Sequence, residues 1–360
     1  MLHAIERGWM ANSFNPKIES LRGLAAIAVV ITHCCAIFSV DGSAAFWTIP
    51  FGGRSVSQVG LTVITWLFDA GFAVVLFMVI SGYVLALSLY GKRLSTALRP
   101  YLVRRAFRLL PPMWFSILLF LVVTHLYRPQ DFSAFSTWYV NIFATPPTAL
   151  DALKNIALVD FKSNPVTWTM YVEVIGSMIV PPLYFCMKEI GARFAKIIIA
   201  LLLAVLAVNF PSLTVSYLIC FACGVMLAVF PGIARSIPSA RIAWPLAILI
   251  VATGFMLPYS FYWIMVDTIA ATTILACVIR GDFAMLDSTP CRFIGRISYS
   301  LYLVHLPMIY CVSIAAEKTQ VPHFATACIS IAGSLLLASL MYRAIEVPAI
   351  ATGRAAIAFP

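Results

Sequence analysis

Charge is scarce in this sequence: only 11% of its 360 residues are Asp, Glu, Lys or Arg, whereas 62% are hydrophobic. Soluble domains carry roughly 25% charged residues, so the composition excludes a water-soluble globular protein. The apolar content also excludes a disordered chain. Because a transmembrane helix needs roughly 20 mostly apolar residues, the composition predicts an all-α, polytopic integral membrane protein with no separate soluble domain.

The sequence also lacks a zinc-binding cysteine pattern, although it contains nine cysteines. Its one C-x-x-C, formed by Cys220 and Cys223, lies in an apolar run, where cysteine is expected to pack as a small apolar residue. We therefore predict no metal site. The first 20 residues lack the apolar core of a secretory signal, so the apolar run at 23–38 is predicted to be an uncleaved first span.

Apolar runs separated by charged residues, Pro or Gly predict about ten transmembrane helices. They lie at about 21–39, 61–90, 106–126, 166–187, 195–210, 212–230, 242–257, 259–279, 293–315 and 324–345. No internal repeat at a fixed period is visible. We therefore expect a single transmembrane domain over residues 1–360, from a first span at about 21–39 to a last span at about 324–345.

The basic residues indicate how these spans are oriented. If the N-terminus is cytoplasmic, 19 of the 24 Lys and Arg residues fall in inner segments and five in outer segments. Cytoplasmic loops carry such an excess of basic residues, so we expect both termini in the cytoplasm and the long loop at 127–165 outside. The same bias explains the net charge of +10, and no nucleic-acid partner is predicted.

Arg22 and His33 are the most informative ionisable residues in a span, where such residues are costly and therefore candidates for function. Eleven positions of helix are three turns plus about 20°, so the two side chains share one face and lie roughly 16 Å apart along the axis. That face would suit a long anionic ligand, with its charged end at Arg22 and chemistry at His33. A snorkelling Arg and a core-packed His are the structural alternative.

Other polar residues lie at the entrance or the outer end of a span. Arg104, Arg105 and Arg108 precede Pro111-Pro112 and predict either membrane anchoring or phosphate binding, because guanidinium groups match phosphate geometry. Glu173 lies near the outer end of the fourth span. An isolated buried carboxylate is expected to be protonated or paired, so Glu173 is a candidate functional group.

The remaining intramembrane candidates have both a functional and a structural interpretation. Tyr302 and His305 are three positions apart and share a helix face, which predicts either ligand contact or a hydrogen bond between helices. Asp69 and Asp267 lie in the second and eighth spans. Ser81-Gly82 would contact a ligand or permit close helix packing.

Six short stretches along the chain form an ordered set. They are Leu21-Arg22-Gly23-Leu24-Ala25-Ala26 followed by His33, then Leu76 to Tyr83, then Arg105, Arg108, Leu109 and Pro111, then Trp168-Thr169-Met170-Tyr171-Val172-Glu173, then Ile294 to Pro307, and finally Glu346-Val347-Pro348. Together they resemble the motifs of the membrane-bound acyltransferase-3 family. One departure is Val174, where the family usually has a second Glu or Gln, so a second carboxylate role is not expected there.

The resemblance implies an O-acyltransferase of the bacterial cytoplasmic (inner) membrane. It would move an acyl group, usually acetyl, from cytoplasmic acyl-CoA to a hydroxyl of an extracytoplasmic or lipid-linked carbohydrate. His33 would be the general base, since an unperturbed imidazole titrates near neutral pH, and Glu173 would orient it or bind acceptor hydroxyls. The residues expected to bind the donor are Arg22, Arg104, Arg105, Arg108, Ser81 and Gly82. The residues expected to contact the acceptor are Tyr302, His305, Asp69 and Trp168.

The expected partners are acyl-CoA, a carbohydrate acceptor and the lipid bilayer, and no permanently bound cofactor is predicted. A covalent acyl-enzyme on His or Ser remains an alternative route. Within the same reaction class, a small-molecule or antibiotic sugar is the alternative acceptor. A secondary transporter would also explain intramembrane charges, but its broken helices occur in repeated halves, and no repeat is visible.

Overall fold

The structure is a computed structural model that describes residues 15–38, 56–126, 128, 131–209, 213–254 and 261–358. These residues are mostly α-helical, and their only β-structure is one isolated antiparallel bridge between Phe38 and Phe135. The expected turns at 209–212 and 257–260 lie largely outside the described residues. The predicted all-α fold is confirmed.

The described residues form fourteen α-helices. In chain order they are α1 (Pro16–Cys35), α2 (Val56–Leu67), α3 (Ala70–Ser88), α4 (Leu94–Leu126), α5 (Thr137–Phe143), α6 (Ala149–Ile156), α7 (Trp168–Asn209), α8 (Leu213–Val229), α9 (Pro231–Ser236), α10 (Ala240–Gly254), α11 (Phe261–Ile279), α12 (Thr289–Thr319), α13 (His323–Met341) and α14 (Val347–Ala358). Short 3₁₀ turns precede α7 and α12, and a π-helical segment at Tyr342–Glu346 joins α13 to α14.

Six helical stretches in the described part of the chain are long and apolar enough to cross a membrane. They are Pro16–Cys35, Val63–Ser88, Leu94–Leu126, Pro165–Glu189, Thr289–Thr319 and His323–Ala358. The most apolar window of Thr289–Thr319 is 83% buried, against 28% for His323–Ala358, so α12 is enclosed by protein along most of its length. The predicted multi-pass membrane fold is confirmed, whereas the number of ten spans stays a prediction.

The break expected between the fourth and fifth spans is not observed. Helix α7 runs without interruption through 42 residues, a length of about 63 Å, and includes the segment 188–194 that was expected to be a loop. The reason is that this segment is rich in helix-favouring Lys, Glu, Ala and Arg and has only Gly191 as an unfavourable residue.

Two other boundaries differ from the sequence prediction. The second span, expected as one helix over 61–90, is divided at Phe68-Asp69 into α2 and α3. Asp69 accepts a 2.8 Å hydrogen bond from the Gly71 amide, as an N-cap residue does. The long loop at 127–165 contains two short helices, α5 and α6. Helix α6 begins with a capping box between Thr148 and Asp151, a local signal that fixes a helix start.

The chain forms two compact units. The first consists of the described part of Met1–Ala25 with Val74–Leu102 and Val172–Arg296, and the second of Ala26–Ala73, Val103–Tyr171 and Ile297–Pro360. Both contain segments of candidate spans, and the unit boundaries fall inside α1, α3, α4, α7 and α12. The prediction of one transmembrane domain over residues 1–360 stays a prediction.

In the first unit, glycines bring helix backbones into contact. A Cβ on Gly82 of α3 would overlap the carbonyl of Phe221 on α8, and a Cβ on Gly224 of α8 would overlap the carbonyl of Val79 on α3. Small residues at such crossings are typical of membrane helices, whose packing depends on close approach of backbones. This α3–α8 crossing therefore has no room for larger side chains.

In the second unit, side-chain hydrogen bonds join α12 to its neighbours. The hydroxyl of Tyr299 donates to the carbonyl of Leu109 on α4 at 2.6 Å. The hydroxyl of Ser300 donates to Oε2 of the buried Glu346 at 2.7 Å. Three of the stretches that resemble family motifs thus contact one another along α12.

Candidate active site

The site residues expected from the sequence are divided between the two units. The first unit holds Arg22, Ser81, Gly82 and Glu173, and the second holds His33, Asp69, Arg104, Arg105, Arg108, Trp168, Tyr302 and His305. Arg22 and His33 lie on one continuous helix, α1. The regular helical spacing that predicts their shared face is therefore present.

The two histidines buried in spans form a pair. Nδ1 of His33, near the end of α1, lies 2.8 Å from Nε2 of His305 on α12, and the rings stack with centroids 5.1 Å apart. Nδ1 of His305 lies 2.7 Å from the backbone carbonyl oxygen of Tyr302. His305 is fully buried, whereas His33 is half-buried. Among the described residues, Nε2 of His33 has no hydrogen-bond partner.

Trp138 is the third member of this cluster. Its indole stacks on the His33 ring, with centroids 5.0 Å apart and planes 26° apart, and it remains half-buried. Ser136, the N-cap of α5, places Trp138 there. The Ser136 hydroxyl accepts a 3.1 Å hydrogen bond from the Tyr139 amide. The Ser136 amide donates to the carbonyl of Ile37, just after α1. We call His33, His305 and Trp138 the imidazole cluster.

A proline explains how α12 offers its carbonyl groups near the cluster. Pro307 lies inside α12 and has no amide hydrogen to donate to the carbonyl of Leu303, four residues before it. Nδ2 of Asn164 donates to that carbonyl instead, at 3.1 Å, and also reaches the Ser116 hydroxyl at 3.2 Å. Asn164 is fully buried, so it ties the segment before α7 to α12 beside His305.

Tyr302 holds the start of α7. Its hydroxyl lies 3.1 Å from the Thr169 hydroxyl, and both are within reach of the Val166 carbonyl, at 3.4 and 2.9 Å. The Tyr302 ring also lies 5.9 Å from the His305 ring. Trp168, half-buried, is the first residue of α7. The contacts that Tyr302, His305 and Trp168 are predicted to make with an acceptor stay predictions.

Asp69 lies at a junction that packs against α1. The hydroxyl of Thr32, the neighbour of His33, contacts the carbonyl of Phe68. One carboxylate oxygen of Asp69 caps α3, and the other, Oδ2, is buried and has no hydrogen-bond partner among the described residues. Asp69 therefore has a structural role at this junction, and its predicted contact with an acceptor stays a prediction.

The three arginines expected to bind the donor lie on α4. Arg105 and Arg108 are half-buried and Arg104 is exposed. Arg105 and Arg108 are three positions apart and share a face, so a phosphate group would reach both. Their predicted donor contacts stay predictions. No group of three or more His, Cys, Asp and Glu side chains within the described residues is placed to hold a metal ion.

Three further predicted residues, Ser81, Gly82 and Glu173, lie in the first unit. The Cα of Gly82 lies against the Phe221 backbone, so this glycine serves the α3–α8 crossing, while Ser81 is half-buried. Glu173 is buried near the start of α7. Both roles predicted for Glu173, orienting His33 and contacting acceptor hydroxyls, stay predictions.

Local sequence patterns assign no role to Trp138 or Asn164. Trp138 is visible as an aromatic residue in the long outer loop, but no local pattern ties it to a span 105 positions earlier. Asn164 has no signal other than its place before Trp168. Both become recognisable only when the chain brings them to α1 and α12.

The fold and the imidazole cluster define a multi-pass membrane protein with acid–base groups inside a span. A family model described as an acyltransferase domain, that of the acyltransferase-3 family, matches residues 15–343. The chain therefore belongs to the acyltransferase-3 family, and it is a membrane acyltransferase. No curated protein and no solved structure gives a match. The resemblance drawn from the six stretches is confirmed.

Proposed function

We propose that this protein transfers an acyl group, in the simplest case acetyl, from cytoplasmic acyl-CoA to a hydroxyl of an extracytoplasmic or lipid-linked carbohydrate. The observation that carries the proposal is the imidazole cluster of a family member. In this cluster the imidazole of His33 is half-buried and lies next to the half-buried indole of Trp138. Nε2 of His33 accepts no hydrogen bond from any described residue. Such a nitrogen suits a general base, which must be free to take a proton from the attacking group.

The reaction requires one proton transfer and one exchange of bonds. Nε2 of His33 takes the proton of the acceptor hydroxyl while its oxygen attacks the thioester carbonyl carbon. The carbon–sulfur bond then breaks, CoA leaves as a thiolate, and the His33 imidazolium returns the proton to that sulfur. The products are an O-acyl ester and CoA, so every atom and proton is accounted for.

Arg105 and Arg108, which share a face of α4, would bind phosphate groups of CoA, because charge-assisted hydrogen bonds from guanidinium to phosphate are strong and bidentate. The donor contact predicted for Arg22 on α1 is a separate prediction. The pantetheine arm would then run along α1. The separation of roughly 16 Å between Arg22 and His33 along the helix sets the distance that this arm has to cover.

The acceptor would approach from the side of Trp138. An indole offers an apolar face and one N–H donor, a combination that suits the mixed CH and OH surface of a sugar ring. Oδ2 of Asp69, which is buried and has no hydrogen-bond partner among the described residues, is a further candidate acceptor for a sugar hydroxyl. These two features favour a carbohydrate over a wholly apolar alcohol.

The test uses membranes that contain the protein and radiolabelled acetyl-CoA. We expect label in a carbohydrate fraction, its loss in His33→Ala membranes, and its retention in His125→Ala membranes, since His125 is exposed at the end of α4. Label in a small soluble sugar would favour the small-molecule alternative. Equal transfer by wild-type and His33→Ala membranes would contradict the proposal, as would sugar uptake with no acyl transfer from any acyl-CoA.

The proposed direction of transfer requires both termini in the cytoplasm and the 128–165 region outside. The 19-to-5 distribution of basic residues, counted over the ten spans predicted from the sequence, supports this orientation. Ser133 and Lys92 are both exposed, so a cysteine at either position should react with a thiol reagent that reaches it. In intact cells free of other reactive cysteines, an impermeant reagent should label Ser133→Cys and spare Lys92→Cys. The reverse result would overturn the orientation.

A further inference from the structure

The tautomer of both histidines follows from one backbone carbonyl. The carbonyl of Tyr302 can only accept hydrogen bonds, so its partner at 2.7 Å, Nδ1 of His305, carries the hydrogen. A neutral imidazole has one N–H and one acceptor nitrogen, and a membrane interior favours the neutral form of ionisable groups. Nε2 of His305 is therefore an acceptor.

The hydrogen on Nδ1 of His305 also determines the tautomer of His33. Nδ1 of His33 lies 2.8 Å from the acceptor nitrogen of His305, so Nδ1 of His33 must donate and carry the hydrogen. The lone pair of the neutral His33 ring is then on Nε2, the nitrogen with no partner among the described residues. A chain of three groups thus leads from the Tyr302 carbonyl to the basic nitrogen of His33.

We propose that His305 is a positioning residue, which holds His33 in the tautomer whose Nε2 is the base. This inference rests on the proposed function of His33. When Nε2 takes the hydroxyl proton, the His33 imidazolium still donates a hydrogen bond from Nδ1 to Nε2 of His305. The positive charge on His33 is therefore stabilised by a hydrogen bond that exists before the reaction. The proton then passes from Nε2 to the CoA thiolate and the neutral pair is restored.

The position of Nε2 makes a discriminating set of variants possible. In His305→Gln, the side-chain oxygen lies as far along the side chain as Nε2 and accepts from His33. In His305→Asn, the amide is one carbon shorter, so it retains a donor for the Tyr302 carbonyl but does not reach His33. His305→Leu neither donates to the Tyr302 carbonyl nor accepts from His33. The matched control is His125, whose Nδ1 also lies 2.8 Å from a backbone carbonyl, that of Leu121, at an exposed position.

The tautomer is measured directly by ¹⁵N NMR of histidine-labelled protein in lipid, since the chain has only five histidines. We expect a protonated Nδ1 and an unprotonated Nε2 for His33 in the wild-type protein and in His305→Gln. In His305→Asn and His305→Leu, we expect His33 to populate the Nε2–H form. A wild-type His33 with Nε2–H would overturn the proposal, and this result needs no His305 variant to fold.

Kinetics give an independent readout. An imidazole base held in the wrong tautomer loses about 10⁴-fold in kcat in the serine-protease triad, so we expect His305→Asn and His305→Leu to lose roughly 10²–10⁴-fold in kcat with an unchanged KM for acyl-CoA. We expect His305→Gln to lose less than roughly tenfold in kcat, below the 10²-fold lower limit of a general-base contribution, and we expect His125→Gln to match the wild-type protein. A His305→Leu protein with wild-type kcat, or a His305→Gln protein as slow as His305→Leu, would contradict the proposal. A failure of the proposed function is distinguishable, because the wild-type protein would then transfer no acyl group whatever the tautomer of its resting state.

Discussion

At the α3–α8 crossing of the first unit, Gly82 and Gly224 bring two backbones together and no side chain lies between them. Around α12 of the second unit, hydrogen bonds from Tyr299 and Ser300 and the His33–His305 pair join α12 to its neighbours. Backbone packing at glycines holds helices together through close van der Waals contact. Side-chain hydrogen bonds also fix the orientation of polar groups and determine which of their atoms carry a hydrogen. Substitutions in the first region should therefore change how much protein folds, and those around the imidazole cluster should change turnover or substrate affinity.

The largest effect is expected from Gly82→Val. Its side chain would overlap the Phe221 carbonyl, a backbone atom that cannot rotate away, so the cost should exceed the roughly 1–3 kcal/mol typical of overpacking. We expect little monodisperse protein by size-exclusion chromatography. Gly60→Val is the matched control, because a Cβ at Gly60 meets no atom within 4 Å. Normal yield of Gly82→Val with lost activity would show that this glycine contacts the donor instead.

Arg108→Ala should leave the amount of protein unchanged and raise the KM for acyl-CoA. A hydrogen bond to a charged group contributes roughly 1.5–3 kcal/mol, which corresponds to roughly a 10- to 150-fold change in KM. Arg99→Ala is the matched control, since Arg99 lies exposed on the same helix and carries the same charge. If the two variants show the same donor dependence, Arg108 serves only to anchor α4.

Trp138→Ala should have the smallest effect and act on the acceptor. Aromatic contacts contribute roughly 0.5–1.5 kcal/mol beyond buried area, so the KM for the carbohydrate should rise roughly 2- to 12-fold while the KM for acyl-CoA stays constant. Trp114→Ala, at an exposed position of α4, controls for the loss of an indole. A Trp138→Ala protein with a changed donor KM would place the donor, not the acceptor, against the indole.

Much of the fold follows from local patterns in the sequence. Apolar length predicts the candidate spans at α1, α4, α12 and α13, because a membrane helix satisfies its backbone within one segment. The errors arise where local chemistry is stronger than hydropathy. Asp69 divides the second span because it caps α3, and the segment at 188–194 stays helical because its residues favour helix.

The site is only partly predictable for a different reason. The spacing of Arg22 and His33 on one helix needs no tertiary information, so their shared face is predictable. The contact between His33 and His305 joins positions 272 residues apart. The residues around each histidine contain no pattern that predicts this contact. The sequence therefore identifies both histidines but assigns them separate roles, the base at His33 and an acceptor contact at His305. Trp138 is identified only through its contact with His33.

In the proposed mechanism, Nε2 of His33 removes the proton from the acceptor hydroxyl. The most direct test measures acetyl transfer and CoA binding on the same preparations of wild-type, His33→Ala and His305→Ala protein. We predict that His33→Ala binds CoA normally and loses transfer by roughly 10²–10⁴-fold, the usual contribution of general-base catalysis. If His33→Ala retains substantial transfer while His305→Ala loses it, the base is His305 and the account of His33 is wrong.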